Sequence, residues 1–443
     1  MWQADRLSQL PPYLFVQIDR DKRAALAAGR DVIDFGIGDP DQPTPEFIVD
    51  RMAGAIRDPS NHQYALGVGS VEFRTSVAEF FEKRFGVSLD PDQEIISLLG
   101  SKEGIAHLPI AVVNPGETVL IPEPGYPVYV GGTIFAGGRC HAMPLLESNG
   151  WLPDLTAIPA DVCRSAKLMY LNYPNNPTAA CAPLSFFERA VAFARKHHLL
   201  IARDAAYSEL FFDPNVKPPS ILQVDGARDV AIELHSFSKS FNMTGWRIAF
   251  AVGNAEALAS LAKVKNNIDS GAFAAVQCAA VAAIRGIDRP EIKSQIDSYR
   301  RRRDILVAGL NEGGWSVTPP QATFYVWAKC PSGLKHSPTS RCGTPLSSPL
   351  GNPSTCGAPR GLKPAARETD GESRGLKPAA RETDSGNALD SMAVASRILD
   401  EADVVVIPGA GFGPAGEGYV RFALTVDESR TAEAVRRIVQ LSW

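Results

Sequence analysis

The 443-residue chain has no C-x-x-C pair: its seven cysteines, at 140, 163, 181, 278, 330, 342 and 356, are dispersed and odd in number. Such a set argues against a zinc site or a disulfide framework and for reduced thiols in the cytosol. No apolar run reaches the 18 residues that a membrane helix needs, and residues 1–6 lead into no hydrophobic signal region. The expectation is a soluble, cytoplasmic protein. H-E-x-x-H and related spacings are missing too, so the seven histidines offer no metal-hydrolase motif and no metal is expected. His197-His198, adjacent at the end of the helical stretch 186–196, reads as a solvated helix terminus. Nor is there a basic excess. A net charge of −4 and a pI near 6.0 supply no bulk field for nucleic acid or acidic membrane.

What is present is ordinary globular material, 45% hydrophobic and 21% charged, in a chain long enough for two domains. Apolar runs at 117–121, 168–171, 199–202, 230–234 and 248–252 read as buried strands, and they alternate with helical patterns. That alternation predicts a mainly parallel sheet covered by helices. The clearest helix, 72–85, places Phe73, Val77, Phe80, Phe81 and Phe85 on one face, where they read as core. The basic run 300–303 falls in a long predicted helix and reads as a solvated face.

Ser236-Phe237-Ser238-Lys239-Ser240 sets one lysine among small hydroxyl residues, with Arg247 eight positions further on. The set suits pyridoxal 5'-phosphate. Lys239 would form a Schiff base with the aldehyde, while Ser236, Ser238 and Arg247 would share the phosphate through charge-assisted hydrogen bonds. A polar loop carrying an incidental Lys and Arg would read the same in isolation. Asn172-Tyr173-Pro174-Asn175-Asn176-Pro177-Thr178 is a rigid turn that can hold the Asn176 amide against a ring. Asp204 follows the strand 199–202 and so lies at the carboxyl end, where open α/β sheets place their ligands. A carboxylate there can pair with a protonated pyridine nitrogen, and Tyr207 can donate to the phenolic oxygen beside the aldehyde. Alone, Asp204 would serve equally as a helix cap.

In the order Asn176, Asp204, Tyr207, Ser236, Lys239, Arg247, the chain resembles the fold type I aminotransferases of classes I and II. The resemblance implies an α/β fold with a mainly parallel, seven-stranded-type sheet in a large cofactor domain, 45–285. A smaller α+β domain would come from 1–44, as an N-terminal arm, and 286–443. It further implies pyridoxal 5'-phosphate as cofactor, amino-acid and 2-oxo-acid substrates, and a homodimer with shared sites. Ser101 and Lys102, in Gly100-Ser101-Lys102-Glu103-Gly104, match a helix N-terminus that meets the phosphate. Tyr126 matches the ring stacked on the pyridine, and Tyr64 a tyrosine that reaches the neighbouring subunit's phosphate. Arg421, in Gly418-Tyr419-Val420-Arg421-Phe422, matches the arginine that grips the substrate α-carboxylate, for which a planar guanidinium is suited and a lysine is not.

Finer likeness lies in Leu10-Pro11-Pro12-Tyr13, in Gly36-Ile37-Gly38-Asp39-Pro40-Asp41, in Asp204-Ala205-Ala206-Tyr207 and in Lys265-Asn266-Asn267. These segments are similar to the bacterial LL-diaminopimelate aminotransferases. That similarity implies exchange of an amino group between LL-2,6-diaminopimelate and 2-oxoglutarate, with tetrahydrodipicolinate and glutamate as the other pair. Tyr13, Gly38, Tyr64, Lys102, Tyr126, Asn176, Asn267 and Arg421 would surround the substrate. Aminotransferases for aspartate, alanine or aromatic amino acids, and β-C–S lyases, are alternatives on the same fold. A non-catalytic regulator would need an N-terminal DNA-binding domain, for which the pattern beginning at Tyr13 leaves no room.

One stretch breaks the family pattern. From 333 to 387 the chain is rich in Pro, Gly, Ser and Thr, and Arg-Gly-Leu-Lys-Pro-Ala-Ala-Arg-Glu-Thr-Asp occurs at 360–370 and again at 374–384. With so few large apolar side chains it is expected to be a disordered surface insertion, which a fold can carry because long loops cost little more to close.

Overall fold

Continuous apolar runs become buried strands, because a parallel sheet covered on both faces has no wet side to pattern. The computed structural model describes residues 2–11, 14–331, 390–441 and 443, so Tyr13 and the repeat-bearing stretch 333–387 lie outside the described residues. After β1 (Ile33–Asp34) come seven strands of one sheet: β2 (Ile95–Leu98), β3 (Thr118–Glu123), β4 (Arg139–Pro144), β5 (Ala166–Asn172), β6 (Leu200–Asp204), β7 (Ala231–Ser236) and β8 (Ala249–Gly253). Their order is β2-β8-β7-β6-β5-β3-β4, and β8 alone runs against its neighbours. In β2, β3, β6, β7 and β8 at most one position per strand is incompletely buried.

Register decides what the sheet presents. Asn172 pairs with Asp204, and Asp204 in turn with Leu234, so the carboxyl ends of β5, β6 and β7 open side by side. The same register sets Arg203 against Glu233, both fully buried. Arg203 bonds Glu233 through Nη1 and donates from Nη2 to the Tyr173 carbonyl at 2.9 Å, so the charge left in the core is paired.

The C-terminal part adds β9 (Tyr325–Lys329), β10 (Val404–Val405), β11 (Ile407–Pro408) and β12 (Tyr419–Ala423). β10 pairs in parallel with β1, while β12 lies between β11 and β9 and is antiparallel to both. Arg421 is thus carried on the central strand of a second sheet.

The helices that matter to the site are α1 (Leu14–Ala27), α2 (Glu46–Ala55), α3 (Val71–Phe85) and α4 (Ser101–Val112). α3 begins where Ser70 Oγ accepts from Phe73 N at 3.2 Å and ends at Gly86, whose φ of +66° closes it. Its five predicted core residues are all buried. Phe81 makes ring contacts with Phe80, Phe85, His235 and Phe250, which tie α3 to β7 and β8.

Two element starts have local causes, and one expectation is corrected. α4 starts at Ser101, a turn earlier than the apolar run at 105, because Glu103 Oε2 accepts from Leu99 N at 3.0 Å and fixes that turn. β9 starts only at Tyr325, since Thr323 has a φ of +68°. The basic run 300–303, inside the helix Pro290–Glu312, is not uniformly solvated. Arg302 is buried and donates to both oxygens of Asp41 at 2.8 Å and to the Leu424 carbonyl at 2.9 Å. A carboxylate and a strand-end carbonyl draw this arginine inward, while Arg300 and Arg301 stay exposed. His198, by contrast, is the exposed C-cap of the helix Leu184–His197, as expected.

Because Phe81 is fully buried among four rings, Phe81→Ala should cost ~3–5 kcal/mol of stability. Urea unfolding followed by fluorescence measures it; an unchanged midpoint would mean that the α3 contacts hold little of the core.

Candidate active site

One cavity of about 510 Å³ gathers residues from both sheets: Ser101 and Lys102 from α4, Asn172 and Asp204 from strand ends, Ser236, Ser238, Lys239, Arg247, and Arg421 from β12. Tyr126, Asn176, Tyr207 and Gly38 line it as well. Eleven of the site residues singled out in the sequence therefore converge: Gly38, Ser101, Lys102, Tyr126, Asn176, Asp204, Tyr207, Ser236, Ser238, Arg247 and Arg421 surround Lys239. Tyr64 and Asn267 do not join them. Tyr64 is 81% exposed, and Asn267 is an exposed residue whose amide bonds the Lys263 carbonyl on its own helix, Ala255–Ile268.

The turn after β5 is held by its own amides. Asn176 N donates to Asn172 Oδ1 at 2.8 Å, Asn175 Nδ2 to the Asn172 carbonyl at 3.1 Å, and Thr178 N to Asn175 Oδ1 at 2.9 Å. Asn172 Nδ2 also donates to the Asp204 carbonyl at 3.0 Å, which ties this turn to the end of β6. The Asn176 side chain is then fixed from the other side, because its Oδ1 accepts from Arg421 Nη1 at 2.8 Å.

Asp204 is 5% exposed. Its Oδ2 accepts from Tyr129 Oη at 2.9 Å and its Oδ1 from Ala206 N at 3.2 Å. Burial pushes its carboxyl up to about 6 despite those two donors. Tyr129, stacked at 4.7 Å on Tyr170, is a partner that no local motif announces. The Tyr207 hydroxyl lies 3.1 Å from that of Tyr325, a cavity residue that the sequence reading missed.

Lys239 follows β7 by three residues, in the short helical turn Phe237–Ser240 capped by Ser236. Its Nζ donates to the Gly38 carbonyl at 2.6 Å. Burial brings the amine down to about 8, with Arg421 and Arg247 adding to the effect against the pull of Asp39. A lysine near neutrality at working pH is a usable nucleophile and base.

Ser101 N-caps nothing; it is the first residue of α4, and the cap is Gly100 at φ +85°. A Cβ on Gly100 would come within 2.0 Å of Arg247 Nη2, so only glycine lets the guanidinium lie against this turn. Arg247 is steadied by the Thr244 carbonyl at 2.7 Å, with Ser238 Oγ at 3.5 Å. A helix N-terminus, two serines and an arginine form a cup with the chemistry of a phosphate site.

Arg421 is 3% exposed and lies between two rings, 4.2 Å from the Tyr325 centroid and 4.8 Å from that of Phe412. Beneath α4, the carboxylates of Glu103 and Asp269 and the His107 ring are close enough to share an ion. The buried Lys265 ammonium already sits on them, 2.9 Å from Glu103 and 3.1 Å from Asp269. No helix among the described residues is long and apolar enough to cross a membrane.

Comparison with known proteins agrees with this geometry. The family model for aminotransferase class I and II matches residues 30–438. An LL-diaminopimelate aminotransferase of Nitratidesulfovibrio vulgaris (strain DSM 19637 / Miyazaki F) is 46% identical over 439 residues, covering 99% of this chain and 98% of that protein. Among solved structures, substrate-bound BacF from Bacillus subtilis has a TM-score of 0.84 at 32% identity, covering 100% of this chain and 98% of its own. An aminotransferase from Staphylococcus aureus has a TM-score of 0.80 at 29% identity, covering 99% of each chain. A lysine, a buried carboxylate and a buried arginine around one cavity, within a match of this extent, make the chain a member of the class I and II aminotransferases.

Proposed function

We propose that this aminotransferase transfers an amino group between LL-2,6-diaminopimelate and 2-oxoglutarate, with pyridoxal 5'-phosphate bound in the cavity around Lys239. The observation that carries the chemistry is the convergence of Lys239, Asp204 and Arg421 on one cavity. Support for the substrate comes from full-length similarity to a protein named for it. Members of the family depend on pyridoxal phosphate, and the residues here fit it: an amine, a buried carboxylate, and a helix N-terminus where the absence of a Cβ at Gly100 makes room for the Arg247 guanidinium. When bound, that group supplies an aldehyde for the amino group and a ring that takes up electrons from Cα.

The protein's own residues would do the rest. Lys239 would take the Cα proton and redeliver it, for which a neutral form near pH 8 is well suited. Asp204 holds a protonated ring nitrogen; its raised carboxyl value reflects burial, and a cationic partner there relieves that penalty. Ser101, Ser236, Ser238 and Arg247 take the phosphate, with Lys102 beside them. Tyr126 would pack on the ring, and Asn176 and Tyr207 would hold its phenolic oxygen. Arg421 orients the α-carboxylate, so that Cα–H stands ready for Lys239.

We extend the proposal to a cytoplasmic homodimer, with a large domain at 45–285, a small domain from the remaining segments, and Tyr64 and Asn267 serving the partner's site. Their positions support it. Tyr64, Leu66 and Ile268 are exposed by 81%, 75% and 55%, and the two loops touch, since a Cβ on Gly271 would lie 2.1 Å from the Ala65 carbonyl. Large exposed apolar groups on adjoining segments are what a covered face leaves behind.

The direct test compares half-reaction rates for LL-diaminopimelate, meso-diaminopimelate, lysine, aspartate and phenylalanine, followed by the cofactor absorbance. LL-diaminopimelate should be fastest, and Lys239→Ala should lose at least ~10²–10⁴-fold in turnover. Faster reaction of aspartate or phenylalanine would overturn the substrate assignment and leave the transaminase standing.

In the cofactor-free protein, labelling of Lys239 by an amine-selective reagent should accelerate as pH rises through about 8. Only the unprotonated amine reacts, and burial has moved its titration down from the usual lysine range. Peptide mapping by mass spectrometry reads the rate, and a midpoint above 10 would remove the neutral-amine argument.

Mixing Tyr64→Ala subunits with Lys239→Ala subunits should restore part of the activity through hybrid sites. Verified heterodimers with no recovery would show that Tyr64 serves no partner.

A further inference from the structure

One buried ammonium has no part in the mechanism above. Lys265, on the helix Ala255–Ile268, is 3% exposed, with its Nζ 2.9 Å from Glu103 Oε2 and 3.1 Å from Asp269 Oδ2. Both carboxylates are themselves mostly covered, each side chain being 13% exposed. Glu103 Oε1 lies 2.8 Å from His107 Nδ1, and Asp269 Oδ1 accepts from Gly271 N at 2.8 Å. Each acid is thus fixed through both of its oxygens.

A single residue joins this group to the phosphate-type cup. Glu103 Oε2, the oxygen that Lys265 holds, also accepts from Leu99 N at 3.0 Å, while the Leu99 carbonyl accepts from Arg247 Nη2 at 3.4 Å. Leu99 is therefore gripped on one side by the arginine of the cup and on the other by the carboxylate that Lys265 anchors. Next in the chain come Gly100, at φ +85°, and Ser101, where α4 begins with no side-chain cap. Glu103 brings a difficulty as well as a hold. Its negative charge stands two residues past Ser101, where it would repel a phosphate group. Lys265 offsets that charge from 2.9 Å away.

We propose that Lys265 is a positioning residue for the cofactor phosphate: through Glu103 it keeps the turn 99–101 in place, and it offsets the charge that this hold introduces. The inference rests on the pyridoxal phosphate reading and deepens it. Lys265 does not line the cavity, so it acts through Glu103 and the backbone. An ion group that only stabilised the fold would support every ligand of the cavity alike, whereas one that positions the cup acts on the phosphate alone.

The test strips full-length holoenzyme of its cofactor and titrates it, by absorbance, with pyridoxal 5'-phosphate or with pyridoxal, which keeps the aldehyde and ring but has no phosphate. The ratio of the two dissociation constants is the quantity read. Lys265→Met should lower the wild-type preference for the phosphate form by roughly 10-fold or more, the scale of losing a hydrogen bond to a charged group. Binding of pyridoxal should stay within a few-fold of wild type. Lys265→Arg, which keeps a cation beside Glu103, should retain most of the preference, and Asp269→Asn, which leaves Lys265 on Glu103, should retain it as well. Circular dichroism and melting temperature check that each variant folds. Should Lys265→Met not fold, Lys265→Gln, neutral but still able to donate to Glu103, is read by the same ratio and should lower it several-fold. A folded neutral variant that loses equally on both ligands, or keeps the wild-type ratio, would overturn the role of Lys265 and leave the cofactor reading intact. A wild-type protein that binds pyridoxal as tightly as pyridoxal 5'-phosphate would instead overturn the phosphate reading of the cup, and the role of Lys265 with it.

Discussion

Asp204 sits 5% exposed at the end of β6 with hydrogen bonds from two neutral donors, Tyr129 Oη and Ala206 N. Burying a carboxylate in that way is costly until a cation reaches it. The rest of the site follows from keeping that group in place. Tyr129 is itself fully buried and stacked on Tyr170, whose hydroxyl donates to the Ile105 carbonyl in α4 at 2.7 Å. The carboxylate is thereby linked, through two rings, to the helix whose N-terminus forms the phosphate-type cup. Asn172 completes the frame by binding the Asp204 carbonyl and the Asn176 backbone together.

Below this layer lies a second buried charge group. Burial opposes ionisation of Glu233, but Arg203 and His235 outweigh it and hold the carboxyl below its usual range. Glu233 accepts from Ile221 N at 2.7 Å and from His235 Nε2 at 2.9 Å, and Arg203 reaches the Tyr173 carbonyl in the turn before Asn176. Removing one partner from such a group leaves an uncompensated charge, so the group acts as a rigid floor under the strand ends. Adjacent positions in β6 thus have opposite tasks. Arg203 points to the floor, where Glu233 pairs its charge, and the neighbouring Asp204 lines the cavity, where neutral donors reach it.

Much of this was legible in the sequence because the site sits at strand ends. Asn176, Asp204 and Lys239 each follow an apolar run, so their order and their distance from the run carry the fold's geometry in one dimension. The parallel character of the sheet was legible for the same reason. What could not be read is contact across the chain. Tyr129 meets Asp204 from 75 residues away, Tyr325 meets Tyr207 from another sheet, and Arg302 finds Asp41 across 261 residues. A residue-type pattern holds no trace of such pairings, and a basic run such as 300–303 looks solvated until its partner is known. Tyr64 and Asn267 show a different limit, because the structure holds both outside the cavity of their own chain.

The segment after β1 brings these parts together. From Asp34 to Asp41 the backbone crosses the cavity between two ion pairs, Asp34 with Lys22 at one end and Asp41 with Arg302 at the other. Between them, the Gly36 carbonyl accepts from Arg421 and the Gly38 carbonyl from Lys239. Gly38 has no room for a Cβ, which would lie 2.1 Å from the Tyr325 hydroxyl. Arg421 and Lys239 therefore hang on carbonyls two residues apart in one strip of chain. Moving this strip would shift both groups together, whereas a change in either alone must break a hydrogen bond to it. That gives physical content to the Gly-x-Gly spacing at 36–38: bare backbone lets two cations from different elements approach the same short stretch, and the acidic residues at its ends keep that stretch from yielding to them.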